Sequence, residues 1–238
     1  MLCTIADLLV DIPTAGGMPP RLKEYLSKEQ GARYPDIFLK EERYEKERYP
    51  ENTPYDVICY MESGRLFHGQ LLRHNGIMLH ASAVAYQGKA YLFSGPCGMG
   101  KSTHTRLWQQ VFGPAARVFN DDKPVLRLID GTWYAYGTPW SGKHHININM
   151  KAPLAGICFM KQEKENKIHR LTPQEAVFKI LWQTHRRYRG EEAMRLVFQN
   201  VDALVEKIPV FELENNAAPE CAHLSYETMC KSAEEAGL

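Results

Sequence analysis

Apolar and polar positions change rhythm several times along the chain, and each change marks an element. Three short β-branched or aromatic runs, DVICYM from Asp56, MLHASAVAY from Met78 and KAYLFS from Lys89, read as strands. Gln87-Gly88 joins the last two as a tight hairpin. With those residues as the turn, Tyr86 pairs with Lys89 and the register carries His80 to a position opposite Gly95. In THTRLWQQVF the spacing of Leu107, Trp108 and Val111 is helical, and Gly113-Pro114 stops it. RVFN is a short strand ending at Asp121-Asp122. PVLRLI and WYAYG flank Asp130-Gly131 as a second hairpin, and LAGICFM from Leu154 is a buried strand.

Thr172-Pro173-Gln174-Glu175 combines an N-cap, a proline at the first helical position and a capping-box glutamate, opening a helix through AVFKILWQTHRRY. A second helix ends in DALVEKI, followed by the strand PVFEL and a helical tail. Hairpins mixed with strand–helix units predict an α/β fold with a mixed β-sheet. The first 54 residues lack this rhythm: Gly16-Gly17 and Pro19-Pro20 break the start, and KEERYEKERYPENTP from Lys40 is charged and rich in turn residues. They are expected as an N-terminal appendage (1–54) to a domain of residues 55–238. No period recurs that would make a solenoid.

Composition narrows the function classes. The 238 residues are 44% hydrophobic and 24% charged with a formal net charge of +1, so no basic field suggests nucleic acid or an anionic membrane surface. Six cysteines without a C-x-x-C pair fit reduced thiols in a cytoplasm. Met1 to Pro13 has no basic segment of the signal-peptide kind, and no run reaches the roughly 20 apolar residues of a membrane helix. A homo-oligomer is compatible with the sequence, though no interface can be named.

The chemistry gathers at Phe93–His104, F-S-G-P-C-G-M-G-K-S-T-H. Gly95, four residues, then Gly100-Lys101-Ser102, between a strand and a helix, is the P-loop pattern. Gly95, Pro96, Cys97, Gly98, Met99, Gly100, Lys101, Ser102 and Thr103 are expected to cradle the phosphates of ATP, because glycines turn backbone N–H groups toward an anion and the helix start adds positive charge. Lys101 would reach the β- and γ-phosphates and Ser102 would hold Mg²⁺. His80, set beside the loop by the hairpin, would ligate metal, contact phosphate or orient an acid; a structural histidine at a strand start is the bland alternative. Asp121 and Asp122 stand where a P-loop enzyme keeps its Mg²⁺ carboxylate, and a pair can divide the work between metal and proton acceptor.

Other features carry weaker signals. GTPWSGKHH, Gly137 to His145, offers Ser141, Lys143, His144 and His145 as acceptor or phosphate contacts, or is an exposed polar loop. THRRYRG from Thr184 compensates a helix C-terminus or clamps an anion. Cys97 is a loop filler or a redox-sensitive thiol. Trp108, Trp133, Trp140 and Trp182 read as core or pocket wall.

LHASAVAYQGKAYLFSGPCGMGKSTHTRLW followed by NDDKPV resembles the HPr kinase/phosphorylase and phosphoenolpyruvate carboxykinase superfamily. HASA, His80 to Ala83, resembles the H-C-S-A stretch of carboxykinases, whose histidine binds metal, and IPVFEL resembles a closing strand of small HPr-kinase-related proteins. The resemblance implies a P-loop fold of that type and an ATP- and Mg²⁺-dependent kinase acting on a hydroxyl, by analogy a serine of a protein or peptide, with a small-molecule acceptor also compatible. Lys101 would be the phosphate lysine, Ser102 a Mg²⁺ ligand, and Asp121 or Asp122 the base or metal ligand. YAYGTP, Tyr134 to Pro139, stands where HPr kinases have an acidic E-x-R-G-L-G segment, which leaves a second reading open: a nucleotide-binding regulatory module without productive transfer.

Overall fold

The computed structural model describes residues 1–28, 33–142, 144–184, 188 and 190–238. Strands β1 (Leu2–Ile5) and β2 (Leu8–Asp11) pair antiparallel, and β3 (Ile37–Phe38) adds to β2 in parallel. Apolar side chains of this small sheet, among them Ile5, Val10 and Ile37, share one buried cluster with Phe67, Leu71, Val125 and Trp140. Residues 1–54 therefore pack on the rest of the chain through a common core.

Helix α1 (Tyr55–Leu71) contains DVICYM, which the sequence reading took for a strand. The reason is length. Six apolar-rich residues fit either period, whereas over the 17-residue element Ile58, Cys59, Glu62, Ser63, Phe67 and Leu71 are buried at three- to four-residue spacing. At Gly64 the helix comes so near Trp140 that a β-carbon would lie 2.9 Å from its ring.

MLHASAVAY is two strands, β4 (Gly76–Met78) and β5 (Ala81–Tyr86). Between them the N–H of Leu79 donates to Pro124 and that of His80 to Gln183, so other segments satisfy the interrupted backbone. β5 runs into β6 (Lys89–Ser94) with the expected register, Tyr86 opposite Lys89 and Ala81 opposite Ser94. Gln87 and Gly88 both take positive φ, 49° and 78°, as a type I′ turn requires. After α2 (Lys101–Phe112) come β7 (Arg117–Asp122), β8 (Val125–Ile129) and β9 (Thr132–Tyr136), with the second expected hairpin between β8 and β9.

The long strand β10 (Lys151–Gln162) organises the sheet. Its start pairs antiparallel with β9, and farther along it pairs in parallel with β6 and with β12 (Val210–Asn215), whose other partner is β11 (Lys167–Arg170). The sheet order is β4-β8-β9-β10-β6-β5-β7 with β12 and β11 branching from β10, a mixed α/β arrangement. Alternate residues face opposite layers. Leu92 joins the cluster covered by α3 (Pro173–Gln183) and α4 (Glu191–Lys207), while Tyr91 and Phe93 join the one covered by α2 and α5 (Glu220–Glu235). The Thr172 capping box forms as read, but α3 ends at Gln183, short of the basic cluster. Among the described residues no helix is long and apolar enough to cross a membrane.

Candidate functional site

Strand β6 ends at Ser94 and delivers the glycine loop to the start of α2. Gly98 and Gly100 hold φ values of 86° and 89°; a β-carbon there would meet nothing within 4 Å, so backbone conformation and not space demands glycine. Pro96, Cys97, Gly98 and Thr103 are exposed, and Met99 and Gly100 are half-buried. Lys101 turns inward. Only 8% exposed, it donates to the carbonyls of Gly95 (2.8 Å) and Pro96 (3.1 Å). Burial pushes its ammonium below the usual lysine range, against the pull of the Asp122 and Asp121 carboxylates.

β7 lies beside β5, with Ser82 opposite Asp121 and Ala81 opposite Asp122. Consecutive strand residues point to opposite sides, and here that rule separates the two acids. Asp121, 5% exposed, faces α2 and accepts a 2.8 Å hydrogen bond from Ser102 Oγ. The Ser82 and Thr105 hydroxyls, 2.8 Å apart, tie β5 to the same helix. The opposite side of α2 is braced by α5: Ser225 Oγ lies 3.0 Å from His104 Nε2 and accepts from Trp108 Nε1 at 3.0 Å. Burial drives His104 down to about 3, which keeps the ring neutral.

Asp122 has φ 123°, a backbone value that side chains other than glycine rarely adopt. One carboxylate oxygen is 3.2 Å from His80 Nε2 and the other 2.9 Å from Lys123 Nζ. Burial would raise this carboxyl, but His80 and Lys123 outweigh it and hold Asp122 well below the usual carboxylate range. Lys123, despite its own burial, is raised by Asp122 and Tyr60. The other His80 nitrogen, Nδ1, is 3.1 Å from Gln183 Oε1, and Ser94 Oγ donates to the His80 carbonyl.

The loop after β9 closes over both acids. Gly142 N–H donates to the Asp121 carbonyl (2.7 Å), and Ser141 bridges to Asp122. The Ser141 carbonyl accepts from Tyr60 of α1, and its hydroxyl accepts from Arg21 of the N-terminal segment. Arg21 and Lys123 both lie over the Tyr60 ring. Of the residues expected from this loop, Ser141 reaches the site, His144 and His145 are exposed, and Lys143 lies outside the described residues, as do His185, Arg186, Arg187 and Arg189 of the basic cluster.

Two open depressions meet at the end of α3. One, of about 250 Å³, is lined by Gly95, Pro96, Phe159, Phe178 and Trp182. The other, of about 300 Å³, is lined by His80, Asp122, Lys123, Trp182 and Gln183. Trp108, Trp133 and Trp140 are core residues, whereas Trp182 is 57% exposed and forms a wall common to both depressions. Among the described residues no group of three or more His, Cys, Asp or Glu side chains is placed to hold a metal ion. The hard oxygens at hand are Ser102 Oγ and the Asp121 and Asp122 carboxylates.

Sequence reading missed four contributors. Lys123 stood in the quoted NDDKPV and was passed over because an acidic pair draws attention to itself. Tyr60 was hidden by the strand reading of DVICYM. Arg21 and Gln183 had no signal, since their partners lie far away in the chain.

The family described as SynChlorMet cassette protein ScmC matches residues 57–220. The chain belongs to the ScmC family. The ScmC match runs from α1 to the first residue of α5 and includes His80, the glycine loop, Asp121, Asp122, Lys123 and Gln183, while Arg21 and Ser225 lie outside it. No curated protein matches the chain. Among solved structures, this ScmC-family chain is similar to the HPr(Ser) kinase/phosphatase from Coxiella burnetii at 10% identity and a TM-score of 0.36, over 66% of this chain and 90% of that one. A likeness of that size carries no chemistry from one chain to the other.

Proposed function

We propose that this protein is an ATP- and Mg²⁺-dependent phosphotransferase that moves the γ-phosphoryl group to a hydroxyl, a serine of a protein or peptide by the motif resemblance to HPr kinase. The observation that carries the reading is the 2.8 Å contact between Ser102 and Asp121. It joins the residue after the loop lysine to a carboxylate on a separate strand, the pairing a nucleotide-bound Mg²⁺ needs.

The donor set fits that ion. Mg²⁺ takes one or two carboxylates and fills its remaining positions with phosphate oxygens and water, so a cluster of three protein acids is not required. When bound, ATP and Mg²⁺ supply the transferable phosphoryl group and the charge that neutralises its oxygens. Ser102 and Asp121 would hold the ion. Lys101 would exchange the Gly95 and Pro96 carbonyls for phosphate oxygens, and the first N–H groups of α2, which have no side-chain cap, would face the anion.

On the other side, Asp122 would receive the acceptor hydroxyl. Its depressed pKa makes it a weak proton acceptor, and His80 and Lys123 fix it in place, so its contribution is orientation more than deprotonation. That suffices for a loose phosphoryl-transfer transition state, in which positioning and electrostatics do most of the catalysis.

Incubation of the pure protein with γ-labelled ATP, Mg²⁺ and a cell extract tests the reading. Label should appear on an acceptor and vanish with Asp121→Ala and with Asp122→Ala. Nucleotide binding without any labelled acceptor would sink the kinase and favour a regulatory nucleotide-binding module.

A further inference from the structure

Gln183 lies far from His80 in the chain, yet it meets His80 twice. Its backbone carbonyl accepts from His80 N–H at 2.8 Å, and its side-chain Oε1 is 3.1 Å from His80 Nδ1. The amide is 5% exposed and leaves α3 at its last residue. Both ends of that helix are fixed: the Thr172 capping box holds its start, and Ile180, fully buried, anchors its final turn in the core. The ring is thus held between two oxygens, Gln183 Oε1 at Nδ1 and an Asp122 carboxylate oxygen 3.2 Å from Nε2.

We infer that Gln183 is a positioning residue that sets the ring direction of His80, and through it the orientation of the Asp122 carboxylate. A backbone tie alone would place the His80 main chain and leave the imidazole, held at Nε2 only by Asp122, free to swing about that contact. The side-chain amide removes that freedom. Trp182, the preceding residue, lines both depressions, so the same helix end that holds His80 also walls the space in front of Asp122.

The inference rests on the phosphotransferase reading for its effect on turnover, but its structural half can be read without any activity. The experiment uses full-length protein with ¹⁵N-labelled histidine rings, the His80 resonances being assigned by loss in His80→Gln. In the unaltered protein Nδ1 should resonate as a protonated nitrogen. Gln183→Leu keeps the backbone tie and should lose that signature, and Gln183→Glu, which keeps an acceptor oxygen, should restore it. In parallel, ATP turnover with Mg²⁺ should fall about tenfold in Gln183→Leu at unchanged KM for ATP and recover in Gln183→Glu. An unchanged His80 ring pattern in a folded Gln183→Leu protein overturns the inference, as does equal loss of turnover in both variants. If the unaltered protein turns over no ATP, the phosphotransferase reading fails and the ring nitrogens alone decide the role of Gln183.

Discussion

The two acids at the end of β7 are neighbours in sequence but belong to regions built in different ways. Asp121 faces the glycine loop and α2, a side assembled from one strand–loop–helix unit and the next strand. Asp122 faces His80, Lys123 and, through His80, the end of α3, a side assembled from segments distant along the chain. The loop side holds its groups by local backbone geometry, whereas the α3 side holds them by side chains reaching across the fold. Substitutions on the loop side should therefore weaken binding of the nucleotide, and those on the α3 side should spare binding and slow transfer.

The largest effect should come from Lys101→Met, which removes the buried ammonium at the loop. Steady-state ATP turnover should drop on the order of 10³-fold and calorimetric ATP binding should weaken with it. Asp122→Asn sharpens the contrast. Turnover should fall on the order of 10²-fold while the calorimetric Kd for ATP stays as it was; a parallel loss of affinity would erase the distinction between the two sides. Gly142→Ala strikes the segment that spans both. Its new β-carbon would sit 3.1 Å from Asp122 Cβ and 3.3 Å from the Asp121 carbonyl, so turnover should fall about fivefold, with a small loss of affinity.

The smallest effect on catalysis belongs to Glu62, buried in α1 and bound by Arg65, Tyr49 and the Glu45 N–H. Burial would raise this carboxyl, yet those partners hold it below the usual glutamate range. A depressed folded-state pKa stabilises above the unfolded value of about 4.3 and loses that contribution as pH falls through the folded value. Urea unfolding from pH 7 to pH 3 should show the unaltered protein losing more stability than Glu62→Gln, which starts about 2 kcal/mol lower at pH 7. ATP affinity should be unchanged in Glu62→Gln, which makes it the control for both sides.

The same difference explains what could be read from sequence. The hairpin register, the strand–loop–helix succession and the strand ending at Asp121-Asp122 were legible because each follows from neighbours within a few residues: left-handed turn residues, glycine spacing and a helix stop. Placing His80 near Gly95 needed only counting from Gln87-Gly88. Gln183 could not be read, because its role depends on where α3 stops and on which strand end lies above it. The packing of residues 1–54 could not be read for a related reason. Their apolar residues fall in short runs broken by turn residues and find a core only beside Phe67, Val125 and Trp140.

Ser225 adds a temporal consequence. Its hydroxyl braces the helix that begins with Lys101 and Ser102, yet it belongs to α5, which follows every other site residue in the chain. As the polypeptide leaves the ribosome, the loop emerges long before its brace. Until α5 docks, the Trp108 indole N–H and the neutral ring of His104 have only each other, and α2 is held from one side, through Ser102–Asp121 and Ser82–Thr105. The second brace of α2 is thus added only once α5 has been made, and a nascent chain arrested before that helix would carry the motif on a helix held from one side.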